Sequence, residues 1–214
     1  MSAVRVKICG ITSVGDALYA AAAGADAIGL NFVPASPRRL SVAAAREIRF
    51  AVPPFVAVVG IFVDESAETV LETARAVGLT AVQLHGEESP QTVAKVAAVL
   101  PVIKAFRVRD RSDLEASERY PGAQAYLFDT YAAGAHGGTG RRFNWALLEY
   151  PGGYRPRRPW ILAGGLTPEN VEAAIRACQP YSVDVASGVE ASPGVKDAGK
   201  VSEFIRRVRR LDVG

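Results

Sequence analysis

The strongest constraint on this chain is a recurring pattern: a short apolar run, then a stretch with helical spacing. The runs are 4–9 (VRVKIC), 26–32 (DAIGLNF), 55–63 (FVAVVGIFV), 80–85 (TAVQLH), 102–106 (VIKAF), 124–129 (QAYLFD), 160–164 (WILAG) and 181–186 (YSVDVA). Their shortness, β-branched residues and Gly, Pro or polar flanks mark them as buried strands. Helical patterns fall near 14–24, 41–51, 66–77, 89–99, 144–149, 168–178 and 197–210, and the polar segment 110–119 has room for a short helix only. Ser66, ahead of Glu68 and Glu72, reads as a helix start. Ser89-Pro90 and Thr167-Pro168 each offer an N-cap followed by Pro at the first helical position. Gly24 and Gly78 read as helix stops.

Eight strands alternating with about eight helices predict an α/β fold, a (β/α)8 TIM barrel, with 214 residues near its short end. The competitor is a doubly wound open sheet. That fold would favour a Gly-rich turn after the first strand, and Cys9-Gly10-Ile11-Thr12 has a single Gly. With no linker or break in composition, residues 1–214 read as a single domain. The segment 133–142 (AGAHGGTGRR) is the expected mobile loop, because its glycines give it little conformational preference.

Several function classes fall away at this stage. No apolar run approaches the roughly 18 residues of a membrane span, and the N-terminus lacks the pattern of a secretory signal. Two cysteines, Cys9 and Cys178, make no disulfide framework, so a cytoplasmic, reducing compartment is expected. A net charge of +3 is too mild to imply nucleic acid and suits a small anionic ligand. Arg206, Arg207, Arg209 and Arg210 read as a solvated helix face, since no aromatic residues are interleaved to stack on bases.

Strand parity locates the chemistry. Alternate side chains of a barrel strand point inward and out toward the helices. With Val4, Val6 and Ile8 outward, Arg5, Lys7 and Cys9 point in. By the same rule Asn31, Gln83, His85, Lys104, Asp129 and Asp184 point in, clustered toward the C-terminal strand ends where barrel enzymes place their sites. The plain alternative is an internal ion-pair network of Lys7 or Lys104 with Asp129 or Asp184. Two Gly turns, Ala163-Gly164-Gly165-Leu166 and Ala186-Ser187-Gly188-Val189-Glu190, follow the last two strands. Loops there often bind phosphate through backbone N–H groups; the alternative is ordinary tight turns.

These residues resemble a known family, phosphoribosylanthranilate isomerase. The matching segments are Lys7-Ile8-Cys9-Gly10-Ile11-Thr12, Ser36-Pro37-Arg38, Gly60-Ile61-Phe62-Val63, Val82-Gln83-Leu84-His85-Gly86-Glu87 and Phe128-Asp129-Thr130. Gly137-Gly138-Thr139-Gly140, Leu162-Ala163-Gly164-Gly165-Leu166 and Val183-Asp184-Val185-Ala186-Ser187-Gly188-Val189-Glu190 complete the series. Each is weak alone; their order and spacing are specific. The resemblance implies an aldose–ketose isomerase of tryptophan biosynthesis, which rearranges N-(5-phosphoribosyl)anthranilate to its aminoketose. It implies Cys9 as general base, Asp129 as general acid and Arg38 as the carboxylate clamp, with Arg39 the alternative. Lys7, His85 and Asp184 would line the substrate site, and Gly164, Gly165, Ser187 and Gly188 would hold the phosphate. One departure is Ala186, where the family more often carries Ser.

Such a reaction needs one acid and one base, and no cofactor or metal is expected. Cys9 must be a thiolate, against a reference pKa near 8.5, and Lys7 two residues earlier is placed to lower it. Asp129 must be protonated, against a reference near 3.9. His85 reads as a rim residue that positions ligand or supports structure, and His136 as solvated; the two do not make a metal site. The expected partner is a small phosphorylated substrate rather than nucleic acid or membrane, and the chain could be a monomer or a homodimer. The competing enzymes are other phosphate-binding barrels. A sugar-phosphate epimerase would need metal ligands, and a Schiff-base aldolase would use Lys7 or Lys104 as nucleophile. A non-catalytic basic binding protein is the competing class.

Overall fold

Helix ends fix where each strand begins. In the computed structural model, which describes residues 3–130, 145–149 and 152–211, side-chain caps start most of the helices. Ser66 Oγ accepts from the Thr69 amide at the head of α3 (Ala67–Val77), and Ser89 Oγ from the Thr92 amide at the head of α4 (Pro90–Ala97). Pro90 occupies the first turn of α4, where its missing N–H costs nothing. Gly78 ends α3 in the left-handed region, at φ 81°. The remaining helices are α1 (Val14–Ala22), α2 (Val42–Ala51), α5 (Arg111–Glu115), α6 (Val171–Cys178) and α7 (Ala198–Arg210).

Between them run β1 (Arg5–Cys9), β2 (Ala27–Asn31), β3 (Ala57–Phe62), β4 (Ala81–Leu84), β5 (Val102–Val108), β6 (Ala125–Thr130), β7 (Trp160–Leu162) and β8 (Ser182–Val185). Each pairs in parallel with the next, and β8 pairs in parallel with β1, with Lys7 opposite Asp184 and Ile8 opposite Val185. That last pairing closes the sheet, so the expected (β/α)8 barrel is the fold and the open sheet is not.

Parity divides the apolar residues into two sets. Val6, Ile8, Val82, Leu84, Tyr126, Phe128, Val183 and Val185 belong to the large layer between barrel and helices. Ala105, Leu127, Ile161 and Ala163 form a small separate cluster inside the barrel, with Ile103 and Ala125 against it. Lys104 corrects the expectation for the fifth run. Ile103 and Ala105 take the interior, so Lys104 faces outward. There its ammonium lies 3.1 Å from Glu88, donates to the carbonyls of Gly86 and Ala105, and sits near the rings of Phe106 and Tyr120.

Three further differences are local. Pro168 does not open a helix. It lies in a turn in which Asn170 Oδ1 accepts from the Thr167 amide, and α6 starts only at Val171. The pattern near 144–149 yields a 3-10 turn, Trp145–Leu147, among the described residues. A hairpin that strand patterning missed, β9 (Glu190–Ser192) and β10 (Val195–Lys196), follows a 3-10 turn at Ser187–Val189. The expected loop 133–142, with His136, lies outside the described residues.

Candidate active site

The C-terminal strand ends converge on one cleft. Cys9, Asn31, Arg38, His85, Arg107, Asp129 and Asp184 line it, together with Ala186. Cys9 ends β1 and is partly exposed there. Its place depends on Gly29 in β2: a β-carbon at that position would stand 2.9 Å from Cys9 Sγ and 3.0 Å from Ile61 Cδ1. Asp129 comes from β6, three steps from β1 around the closed barrel, so a substrate can lie between the two groups.

Beneath the cleft a polar chain crosses the barrel. Lys7 Nζ donates to Asp184 Oδ1 at 2.9 Å and to Gln83 Oε1 at 3.0 Å, and all three residues are buried. This is the internal ion pair weighed as the plain alternative, and it involves Asp184 rather than Asp129. Because the Gln83 carbonyl accepts from Lys7, its amide NH2 donates to His85 Nδ1, 2.9 Å away. A neutral His85 then carries its proton on Nε2, which lies 3.6 Å from Asp129 Oδ2. The loop after β4 holds His85 in place, since Glu88 accepts from the amides of Asp64 and Gly86 and is itself paired with Lys104.

The electrostatics of Cys9 are a contest. Burial pushes its thiol up; the Lys7 ammonium opposes this, the Asp184 carboxylate reinforces it and Lys196 opposes it, and the net shift is upward. Burial works against the charge of Lys7, but Asp184 and Cys9 outweigh it and hold the ammonium above its ordinary value. Cys178, in contrast, is wholly buried on α6 with its thiol pushed up to about 11, as expected of a packing residue.

Arg38 reaches the cleft from the loop after β2. Its Nε and one Nη donate to Glu190 at 2.8 and 2.7 Å, in a side-on bidentate pair. The two Gly turns meet one another beyond β7 and β8. Gly164 and Gly165 both have left-handed backbone, with φ of 88° and 64°, and Asn170 Nδ2 donates to the Gly165 carbonyl. Gly188 packs against the Leu166 carbonyl with no space for a β-carbon, and Ser187 opens the 3-10 turn beside it. Ala186 links this turn to the cleft.

Sequence reasoning missed Arg107, Glu190 and Lys196. Arg107 follows the end of the fifth run and points inward with Ile103 and Ala105; its guanidinium donates to the His85 carbonyl at 3.3 Å. Glu190 and Lys196 sit on the hairpin, whose Pro193-Gly194 turn was the available signal. Among the described residues no group of three or more His, Cys, Asp or Glu side chains is arranged to hold a metal ion. None of the helices among them is long and apolar enough to cross a membrane. The arginines of α7 are largely engaged within the chain: Arg206 and Arg207 pair with Glu203, and Arg209 with Asp26.

Comparison with known proteins places this arrangement. The model of the N-(5'phosphoribosyl)anthranilate (PRA) isomerase family matches residues 6–207. The N-(5'-phosphoribosyl)anthranilate isomerase of Neisseria meningitidis serogroup A is 50% identical over 213 residues, 99% of each chain. The crystal structure of the Thermotoga maritima phosphoribosyl anthranilate isomerase superposes with a TM-score of 0.88 at 44% identity, covering 97% of this chain and all of that one. A structure of such an isomerase in complex with reduced 1-(o-carboxyphenylamino)-1-deoxyribulose 5-phosphate gives 0.85, also at 44% identity, with 97% and 100% covered. With a barrel, a cleft and a matching sequence that runs nearly end to end, the chain belongs to the N-(5'-phosphoribosyl)anthranilate isomerase family.

Proposed function

We propose that the chain converts N-(5-phosphoribosyl)anthranilate to 1-(o-carboxyphenylamino)-1-deoxyribulose 5-phosphate, the Amadori rearrangement of tryptophan biosynthesis. One observation carries the reading: Cys9 and Asp129 face a single cleft, with Arg38 on its wall and a paired glycine turn at its edge. Asp129 donates a proton to the furanose ring oxygen as the C1′–O bond breaks, and the anilino nitrogen lone pair completes a protonated Schiff base. The Cys9 thiolate then removes the C2′ proton. The released electron pair neutralises the iminium and gives an enolamine, which tautomerises to the ketone.

The raised thiol of Cys9 fits this order of events. In the free enzyme burial favours the neutral thiol. Ring opening brings a positive iminium beside it, which favours loss of the thiol proton to water in the open cleft and so gives the thiolate at the step that needs it. His85, with its Nε2–H beside Asp129, is the neighbour placed to stabilise the carboxylate that Asp129 becomes once it has given up its proton. Arg38 holds the anthranilate carboxylate. Gly164, Gly165, Ser187 and Gly188 receive the phosphate through backbone N–H groups and one hydroxyl, and the missing hydroxyl at Ala186 leaves those donors in place. The Lys7–Asp184 pair sets the charge of the floor.

The reaction runs on side-chain acid–base chemistry, so it needs no cofactor. A Schiff-base aldolase would need a neutral lysine in the cleft. Lys7 is instead buried and held charged by Asp184, and Lys104 lies outside the barrel. We place the enzyme in the cytoplasm, acting on a small phosphorylated substrate as a monomer or homodimer. The test is an assay with freshly made phosphoribosylanthranilate, following loss of its fluorescence. Steady consumption is expected; a rate no faster than the uncatalysed reaction would overturn the proposal.

A further inference from the structure

Glu190 is a buried carboxylate that the proposed chemistry does not use. It opens β9 and is the register partner of Lys196 on β10. Both its oxygens are taken. Oε1 accepts from Arg38 Nε at 2.8 Å and from Lys196 Nζ at 2.9 Å, and Oε2 accepts from Arg38 Nη2 at 2.7 Å. The side chains of Arg38, Glu190 and Lys196 are 13%, 5% and 2% exposed. Lys196 Nζ also donates to the carbonyl of Ala186, the residue before Ser187, and Lys200 Nζ donates to the carbonyl of Glu190. One carboxylate therefore joins the wall of the cleft to the turn at its edge.

Two features of this triad point toward a ligand. The side-on pair occupies the Nε edge of Arg38 and leaves the end of the guanidinium, with its two parallel N–H bonds, on another edge of the fork. Two cations share one carboxylate, so the triad carries one net positive charge in a place mostly removed from water. A substrate carboxylate supplies the missing negative charge. A buried group of charges is held at a cost in desolvation, and fixing a guanidinium's direction is a use that hydrophobic replacements could not serve.

We infer that Glu190 is a positioning residue, which grips Arg38 side-on to aim the end of its guanidinium at the substrate carboxylate and, through Lys196, ties that clamp to the phosphate turn. The inference rests on the reading of Arg38 as the carboxylate clamp. The backbone supports the same path: at Gly10, φ is 74° and a β-carbon would collide with the Arg38 stem, so the stem crosses there only because the residue is Gly.

The test is a double-mutant cycle on KM and kcat with phosphoribosylanthranilate. Glu190→Gln keeps the shape but removes the charge. It should raise KM about tenfold or more while kcat changes far less, because the lost contact serves ground state and transition state alike. In an Arg38→Ala background the same substitution should change KM by less than about twofold, since the group it aims is gone. A merely structural Glu190 would cost the same in both backgrounds, and that result overturns the inference. An Arg38→Ala variant with unchanged KM overturns the clamp reading itself. A raised KM in Arg38→Ala beside a neutral Glu190→Gln overturns only the positioning role. If Glu190→Gln does not yield folded protein, the cycle is run with Glu190→Asp, which keeps the charge and withdraws it by one methylene; the same KM pattern is expected and the same additivity refutes it.

Discussion

Replacing Lys7 with Met separates the electrostatic floor of the site from its fold. Lys7 and Asp184 are 3% and 9% exposed at the side chain and 2.9 Å apart, so solvent screens the pair little. Removing one partner of such a pair leaves a buried charge without compensation, which costs about 3–5 kcal/mol. In a chain of this size each kcal/mol lowers Tm by about 2–4 °C, so Lys7→Met should melt roughly 6–20 °C below the parent. The double variant Lys7→Met/Asp184→Asn removes both charges and should recover part of that loss. The pH dependence has a defined sign. The folded ammonium of Lys7 is held above its ordinary value of 10.5, so its contribution is full below that pH and is lost only as pH rises through the higher folded value. The deficit in Lys7→Met should therefore not shrink as pH rises from 6 to 9. Activity adds an independent readout. Lys7 is the largest influence pulling the Cys9 thiol down, so the acidic limb of kcat/KM should move to higher pH in the variant. Differential scanning calorimetry and a pH–rate profile check the two halves. A Tm within about 3 °C of the parent, together with an unmoved acidic limb, would refute the account of the floor.

Cys9→Ala and Asp129→Asn should each lower kcat by about 10²–10⁴-fold with the fold retained, the usual worth of a general base or acid; near-parental turnover in steady-state assays would remove that residue from the mechanism. Gly188→Ala pushes a β-carbon against the Leu166 carbonyl, so it should weaken competitive inhibition by inorganic phosphate at least about tenfold and cost about 1–3 kcal/mol of stability. Inhibition kinetics and thermal melts would show an unchanged Ki if phosphate binds elsewhere. Burial works against the charge of Asp26, but hydrogen bonds from Arg209, the Val6 amide and Arg5 outweigh it and hold the carboxyl below its ordinary value of 3.8. Its stabilising contribution is full above that value and is lost as pH falls through the lower folded one, so Asp26→Asn should flatten the acid side of the Tm–pH curve.

Strand parity carried most of the site because it needs only local information. In β1, β4, β6 and β8 the outward face is apolar, so Lys7, Cys9, Gln83, His85, Asp129 and Asp184 could be assigned to the interior before any contact was known. In β5 the same rule is undecided, since Val102, Lys104 and Phe106 alternate with Ile103 and Ala105, and each face holds apolar residues. What turns Lys104 outward is Glu88, sixteen positions earlier in a loop, together with the rings of Phe106 and Tyr120. No periodicity within the strand encodes that pairing. The register in turn brings Arg107 to the cleft beside its pairing partner Asp129. Asn170 was hidden for a related reason. Thr167-Pro168 has the composition of a helix start, yet the Asn170 side chain closes a turn back to Thr167 and donates to Gly165, so the helix waits until the glycine turn is set.

Glu190 shows where sequence patterning stops and physical chemistry has to continue. Its segment matched the family series, and its neighbours Ser187 and Gly188 were given a role by that resemblance, but a Glu after a turn is most often solvated. Its importance is visible only when Arg38, 152 positions away, and Lys196 are found on its two oxygens. The hairpin that brings Lys196 back has strands of three and two residues, too short for any alternation to register. Such a hairpin adds little apolar burial: Glu190 and Lys196 are its inward-facing residues, while Ala191, Ser192 and Val195 are exposed. An element that buries charge and leaves its apolar residue outside is not accounted for by the hydrophobic effect. Its measurable consequence is the direction of one guanidinium, and that direction is what the Glu190 and Arg38 variants compare.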